Sequence, residues 1–293
     1  MYRFLIPVAF VVAVVVCVLG VEKNKPRADF VFVNRGDVFT LDPQRMSWLT
    51  DMQIAYCLYE GLVQWKTEDF SIELAAANEV VVSDDRLLYT FYLRKDARWS
   101  NGAPVTAHDF MYAWMRLLTP DTASDYSNFF FVIEGAKDYW KWRASLLKNK
   151  SVISLEELAK EFDDRVGITA IDNHKIEIKL SKPTPYFLDQ LALAVCSPVY
   201  KPAVEGWVVN EEVQQEIIDR GWNSVLPPTM ANRKWTSIDQ DTGRIKQEYY
   251  WARPETMVCN GPFVLDEWRY KRDMRLERNP FYHSPEKTSL NSI

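Results

Sequence analysis

Side chains able to do chemistry are few in this chain, and none is grouped as a catalyst would need. Only three His occur in 293 residues. His108 opens an amphipathic stretch, His174 sits in a turn, and His283 lies near the C-terminal end. None has a second His or Cys at ligand spacing, so no metal site is expected. Asp239, Asp241 and Gly243 begin like a calcium loop, but the later ligands and the bidentate acid are missing. A hairpin turn at Thr242-Gly243 is expected instead. The carboxylate pairs Asp84-Asp85, Glu156-Glu157 and Asp163-Asp164 read as turn and solvated helix positions. No G-x-S-x-G, Walker, G-x-G-x-x-G or H-E-x-x-H run occurs. With no set of nucleophile, base and stabiliser in view, no enzyme and no cofactor are expected. Beyond the N-terminal segment the cysteines are Cys57, Cys196 and Cys259. An odd count leaves at least one free thiol. A Cys196–Cys259 bond and buried free thiols both stay open.

What the residues do specify is scaffold, most clearly at residues 86–124. Leu88, Thr90 and Tyr92 alternate with Tyr89, Phe91 and Leu93, the period of a strand covered at least in part on both faces. Asn101-Gly102 marks a turn. Thr106 stands three residues before Asp109, a capping-box spacing that starts a helix. Phe110, Trp114, Leu117 and Leu118 share one face of that helix, and Pro120 ends it. Elsewhere, residues 29–34 (DFVFVN) read as an apolar strand. A helix capped by Asp51 runs to Tyr59 and stops at Gly61. Residues 79–83 and 88–94 form a hairpin around Asp84-Asp85. Ser154 and Glu157 repeat the capping box and start a helix through Phe162. Residues 167–171 and 175–180 flank Asp172-Asn173, with Ile176, Ile178 and Leu180 facing one way. Residues 183–193 start with prolines and become helical, and residues 263–268 and 274–278 flank a charged turn. Strands and helices interleave without a strict βαβ rhythm, which predicts a mixed α/β fold with a mixed sheet.

The bulk composition bounds the rest. A length of 293 residues with 47% hydrophobic content builds one large or two ordinary domains. A net charge of -5 gives no basic face for nucleic acid. Eleven Trp and 14 Tyr suit a ligand cleft or a large core. Residues 4–20 are an unbroken apolar run behind Tyr2-Arg3. Residues 1–21 therefore read as a signal peptide cleaved after Gly20 or as a membrane anchor. Cys17 lacks the small preceding residue of a lipobox, since Val16 stands there. Either way the chain is expected to be exported, to the periplasm or cell envelope. Residues 204–256 are polar, dotted with Trp and irregular.

Four blocks resemble the oligopeptide-binding branch of the extracellular solute-binding proteins, family 5. They are Leu41-Asp42-Pro43 with Leu58-Tyr59-Glu60-Gly61-Leu62; residues 82–124; residues 167–201; and Asn260-Gly261-Pro262-Phe263 through Trp268 to residues 276–283, LERNPFYH. The resemblance implies the mixed-sheet first lobe of a two-lobed, type II-like periplasmic binding protein. Its core would be residues 22–53 and 168–293, interrupted by the irregular insertion 204–256. A smaller subdomain, 54–167, would pack on it. It also implies an oligopeptide ligand held by strand-like hydrogen bonds and an ABC permease as membrane partner. The segment after Leu-Asp-Pro lines the family's pocket and maps to residues 46–49, with Ser47 and Leu49 at contact positions. Well-known members carry glutamate where Ser47 stands, so their preference for peptide length and charge does not transfer. Tyr126 matches the tyrosine after the P-x-T-A-S motif. Asn260 and Gly261 match an Asn-Gly near the lobe crossing, in a ligand or structural role. Family chains continue into a second lobe, which is absent here, so a truncated receptor is expected. The alternative is an exported, membrane-anchored interaction or sensory module built on the first lobe.

Overall fold

The computed structural model describes residues 25–206 and 234–293. The apolar run 4–20, its cleavage point, and residues 207–233 of the irregular stretch lie outside the described residues. No described helix is long and apolar enough to cross a membrane.

A short hairpin pairs β1 (Val63–Trp65) with β2 (Ile72–Leu74). The largest sheet has four strands. β3 (Ala77–Val82) and β4 (Leu88–Leu93) form a hairpin, as do β5 (Ile168–Asp172) and β6 (Lys175–Lys179), and the order is β3-β4-β6-β5. Phe91 lies opposite Ile176, and Tyr89 opposite Ile178. Ile178 is opposite Ile168 in turn. These residues stack on one face and are all buried, as alternation along the strands requires. The sheet draws on residues before and after position 167, so a subdomain boundary at that position runs through it. Every ladder among the described residues is antiparallel.

α2 (Ala107–Leu118) packs on β5. It starts where the spacing predicts: the Asp109 carboxylate accepts the N–H of Thr106 at 2.8 Å and its hydroxyl at 2.9 Å. Its apolar stripe of Phe110, Trp114, Leu117 and Leu118 is buried. α3 (Ala136–Lys148) packs on α2 and on α4 (Leu155–Arg165). Ser154 caps α4 by accepting the N–H of Glu157. β7 (Thr236–Ile238) and β8 (Ile245–Gln247) form a small hairpin. The Asp239 carboxylate in its turn accepts the N–H groups of Asp241 and Thr242 and pairs with Lys246. This is the turn rather than the calcium loop, and no cluster of potential metal ligands occurs among the described residues. A last hairpin joins β9 (Phe263–Arg269) to β10 (Asp273–Arg278), with a bulge at Arg275/Leu276.

Two readings need correction. Residues 29–34 belong to no ladder among the described residues, and Asp29 lies in a bend. Asp51 does not cap its helix. α1 spans Leu49–Leu58 with Trp48 at the cap, and the Asp51 carboxylate reaches back to the Phe39 N–H at 2.9 Å. Within 183–193 the chain does become helical after its prolines, as α5 (Phe187–Leu191), followed by a 3-10 turn at Ala194–Cys196.

Cys57, Cys196 and Cys259 are all free, the last two buried. Burial pushes the Cys57 thiol up to about 11 and the Cys259 thiol up to about 12. Thiols of the unfolded chain ionise near the ordinary 9.0, so rising pH favours unfolding across the window from 9 to 12 and leaves stability untouched below it. Native protein at pH 8 should therefore resist iodoacetamide at all three positions, and urea should expose them. Labelling of native Cys57 as fast as free cysteine would refute this.

Candidate functional site

The loop that follows Thr40 is built to present a short exposed segment. Asp42, fully buried, accepts the Gln44 N–H at 3.2 Å and receives both guanidinium arms of Arg116 at 3.1 and 2.6 Å. Burial works against the Arg116 cation, but the Asp42 carboxylate outweighs it and holds the guanidinium above its ordinary range. Gln44 accepts from Arg116 and donates to the carbonyls of Val195 and Ser197. The Tyr59 hydroxyl donates to the Leu41 carbonyl at 3.1 Å, and Met46 is buried. With its polar groups spent inward, the loop turns Ser47, Trp48 and Leu49 outward. Trp48 is 63% exposed and Leu49 64%.

Ser47 and Trp48 line a cleft of about 340 Å³. Phe39 and Trp48 pack with ring centroids 6.4 Å apart. Arg45 lies over Tyr249 at 4.4 Å and Arg253 over Trp268 at 4.9 Å. Such stacking holds a guanidinium in place while leaving its edge N–H groups to bind an acceptor. Asp51 lines the back, its carboxyl raised by burial against the lowering effect of the Phe39 and Thr40 N–H groups. On the other side the Ser47 hydroxyl donates to Asp125, whose chain neighbour is Tyr126. The Tyr126 ring is edge-on to Phe129 at 5.6 Å. The structure thus brings Ser47 beside the chain neighbour of Tyr126, while Leu49 stands exposed two residues beyond Ser47.

Asn260 and Gly261 lie elsewhere and are buried. The Asn260 side chain accepts the Glu60 N–H at 3.1 Å and donates to the Glu60 carbonyl at 2.9 Å, so its amide is spent on the end of α1. Gly261 donates to the Leu58 carbonyl at 2.8 Å, and a Cβ there would sit 2.5 Å from the Leu58 carbonyl carbon. The Glu60 carboxylate in turn takes the Tyr282 hydroxyl and His283 Nε2, both at 2.7 Å, and His283 Nδ1 meets the Ser284 hydroxyl at 2.8 Å. Burial first, then Glu60, pushes the Tyr282 phenol far above its ordinary range. Ser284, His283 and Glu60 follow one another like a hydrolytic relay. All three are sealed from solvent, and the row works as a brace between α1 and the 279–284 segment.

Sequence reasoning missed Arg45, Tyr249, Arg253 and Trp268. The only signal was the density of aromatics near basic residues in the irregular stretch. Their convergence depends on a fold-back of about 200 positions along the chain.

The pattern of the bacterial extracellular solute-binding proteins, family 5 middle, matches residues 71–293. The chain belongs to this family. Among family 5 relatives, the Escherichia coli periplasmic oligopeptide-binding protein OppA is 30% identical over 262 residues, covering 89% of this chain and 37% of OppA. The probable deoxycholate-binding periplasmic protein YgiS of Escherichia coli is 27% identical over 92% of this chain and 40% of its own length. The substrate-binding domain of an oligopeptide ABC transporter from Bacillus anthracis superposes with a TM-score of 0.62 at 28% identity, covering 90% of this chain and 40% of that one. The unliganded open form of the murein tripeptide-binding protein MppA gives 0.64 at 26% identity, covering 88% and 39%. The family 5 chain described here therefore spans about two-fifths of the length of the relatives it matches.

Proposed function

We propose that this chain is the first lobe of a peptide receptor for an ABC importer, and that Ser47, Leu49 and Tyr126 contact the peptide. The observation that carries this reading is the pinned loop. A buried ion pair and buried amides hold it so that Trp48 and Leu49 stand exposed, and Ser47 and Trp48 line a cleft edged by two stacked arginines. Extended peptides offer carbonyls and a carboxylate to such arginines, and side chains to the aromatic walls. Asn260 and Gly261 act as the joint between α1 and the β9–β10 region, not as ligand contacts. A peptide bound to this face alone is covered on one side only, so its affinity is weak until a second surface closes over it.

Leu49→Asp tests the reading, because Leu49 is exposed and its loss leaves the fold intact. Titration of the protein with a short-peptide library, followed by NMR, should show shifts at Ser47, Leu49 and Tyr126. L49D should weaken binding by about tenfold, or roughly 1.4 kcal/mol. Unchanged binding in L49D, or shifts confined to other surfaces, would overturn it. A parallel titration with deoxycholate separates a peptide site from one for an apolar acid, since only the peptide should bind.

A further inference from the structure

The cleft beside Ser47 carries an unbalanced charge. Two cations line it, Arg45 and Arg253, against one acid, Asp51. Where this chain uses an arginine to brace the fold, it fills the fork: Arg116 sits on Asp42 and Arg143 on Asp121. Arg45 and Arg253 are held differently, by ring faces, with Tyr249 at 4.4 Å and Trp268 at 4.9 Å. Among the described residues neither pairs with a carboxylate, and the Arg253 guanidinium makes no hydrogen bond. Arg45 shares one with the Tyr249 hydroxyl. Stacking fixes the plane of a guanidinium and leaves its edge N–H groups for an acceptor.

Asp51 supplies the other half of the cleft. It is fully buried, and Oδ1 accepts the Phe39 N–H at 2.9 Å. Its Oδ2 is the one buried carboxylate oxygen among the described residues with no hydrogen-bond partner. A buried acceptor left bare is unfavourable until a donor reaches it. α1 also begins here. Trp48 gives its first turn no side-chain cap, and the N–H groups of Leu49 and Thr50 make no hydrogen bond among the described residues. A helix start open in this way adds to the field of the two guanidiniums, and Asp51 offsets only part of it. The cleft therefore offers donors for an anion and one acceptor for an N–H.

We propose that this cleft is a carboxylate subsite, through which the receptor selects acidic peptides. One carboxylate of the bound peptide sits between the Arg45 and Arg253 forks, and the peptide N–H beside it turns toward Asp51. That carboxylate balances the excess cation of the cleft. It comes from a Glu or Asp side chain or from the peptide's C-terminal end. Basic peptides meet the same two cations and are rejected. This rests on the peptide-receptor reading of the Ser47 loop and goes beyond it by fixing the charge of the ligand. Tyr249 and Arg253 lie in the irregular stretch 204–256, outside the four blocks that resemble the family, so the selection is not carried over from that resemblance.

The test titrates the full chain, followed by NMR, with tetrapeptides of one alanine backbone. They carry Glu, Gln or Lys at the third position, each with a free or an amidated C-terminus. A peptide with a carboxylate should bind at least about tenfold tighter than the amidated Gln peptide. Whether the Glu side chain or the free terminus gives the gain identifies the source, and the amidated Lys peptide should bind most weakly. Arg253→Gln should bring the acidic-to-neutral ratio close to one, and Arg253→Lys should keep part of it. Asp51→Asn should widen the ratio, because it removes the opposing charge while Oδ1 still accepts from Phe39. Urea midpoints confirm that each variant is folded. Equal affinity for all the peptides, with shifts at Ser47, Leu49 and Tyr126, overturns the carboxylate subsite and leaves the receptor reading standing. A ratio that Arg253→Gln leaves unchanged overturns it as well. Binding of no peptide at all overturns the receptor reading and this inference with it. Deoxycholate binding that Arg253→Gln abolishes, in a protein that binds no peptide, assigns the cleft to an apolar acid and likewise overturns both.

Discussion

Arg116→Ala lowers the unfolding free energy by about 3–5 kcal/mol, the usual consequence of leaving one member of a buried ion pair alone. Asp42 is fully buried, and without the guanidinium its charge keeps only the Gln44 N–H. Gln44 and Gln247 lose a donor as well, and the ring of Trp251 loses the cation 5.6 Å from its centroid. The damage reaches the proposed site, because this pair holds the loop from Leu41 to Ser47. Trypsin should therefore cut after Arg45 faster in the variant than in the parent. Arg116→Lys should recover part of the loss, since lysine restores the charge but not the two-pronged fork. A urea-unfolding difference below about 1 kcal/mol for Arg116→Ala would contradict the argument, as the pair would then be no better than a surface bridge.

Arg143→Ala produces a loss of similar size, again about 3–5 kcal/mol, from a different part of the molecule. Arg143 is fully buried on α3. Its Nε and Nη2 each donate to Asp121 at 2.8 Å, and Nη2 also donates to the Gly243 carbonyl at 2.7 Å. Asp121 accepts the Ile245 N–H at 2.8 Å. One ion pair thus ties α3, the Pro120–Thr122 turn and the β7–β8 hairpin together. Pairing Arg143→Met with Asp121→Ala should recover most of the loss, because the orphaned carboxylate is gone. A double variant as unstable as Arg143→Ala alone would mean the loss comes from packing rather than from the stranded charge. Stability in both series is read from urea midpoints and slopes.

These two arginines mark the limit of what could be read along the chain. Arg116 looks like a last-turn helix cation and Arg143 like a solvated position on a charged helix. Their partners, Asp42 and Asp121, lie 74 and 22 positions away. Burial converts ordinary charges into the strongest polar contacts of the fold, and nothing local announces it. The same holds for Asn260, whose amide is spent on a backbone group 200 positions distant, and for Arg45 and Arg253, which meet over the cleft only after the chain folds back.

The chain's local grammar was legible because it obeys near-neighbour physics. The Thr106–Asp109 and Ser154–Glu157 caps, the hairpins around Asp84-Asp85 and Asp172-Asn173, and the buried stripe of α2 each depend on residues within a turn or two. The family motifs, which combine these elements in a fixed order, were legible for the same reason. The tertiary structure decided which faces are covered. It made Asp51 a backbone tie rather than a cap, turned Trp48 and Leu49 outward, and left the side chains of Val31 and Val33 largely exposed. A strand-like sequence states a preference for burial, but only the surrounding elements can supply the surface that buries it.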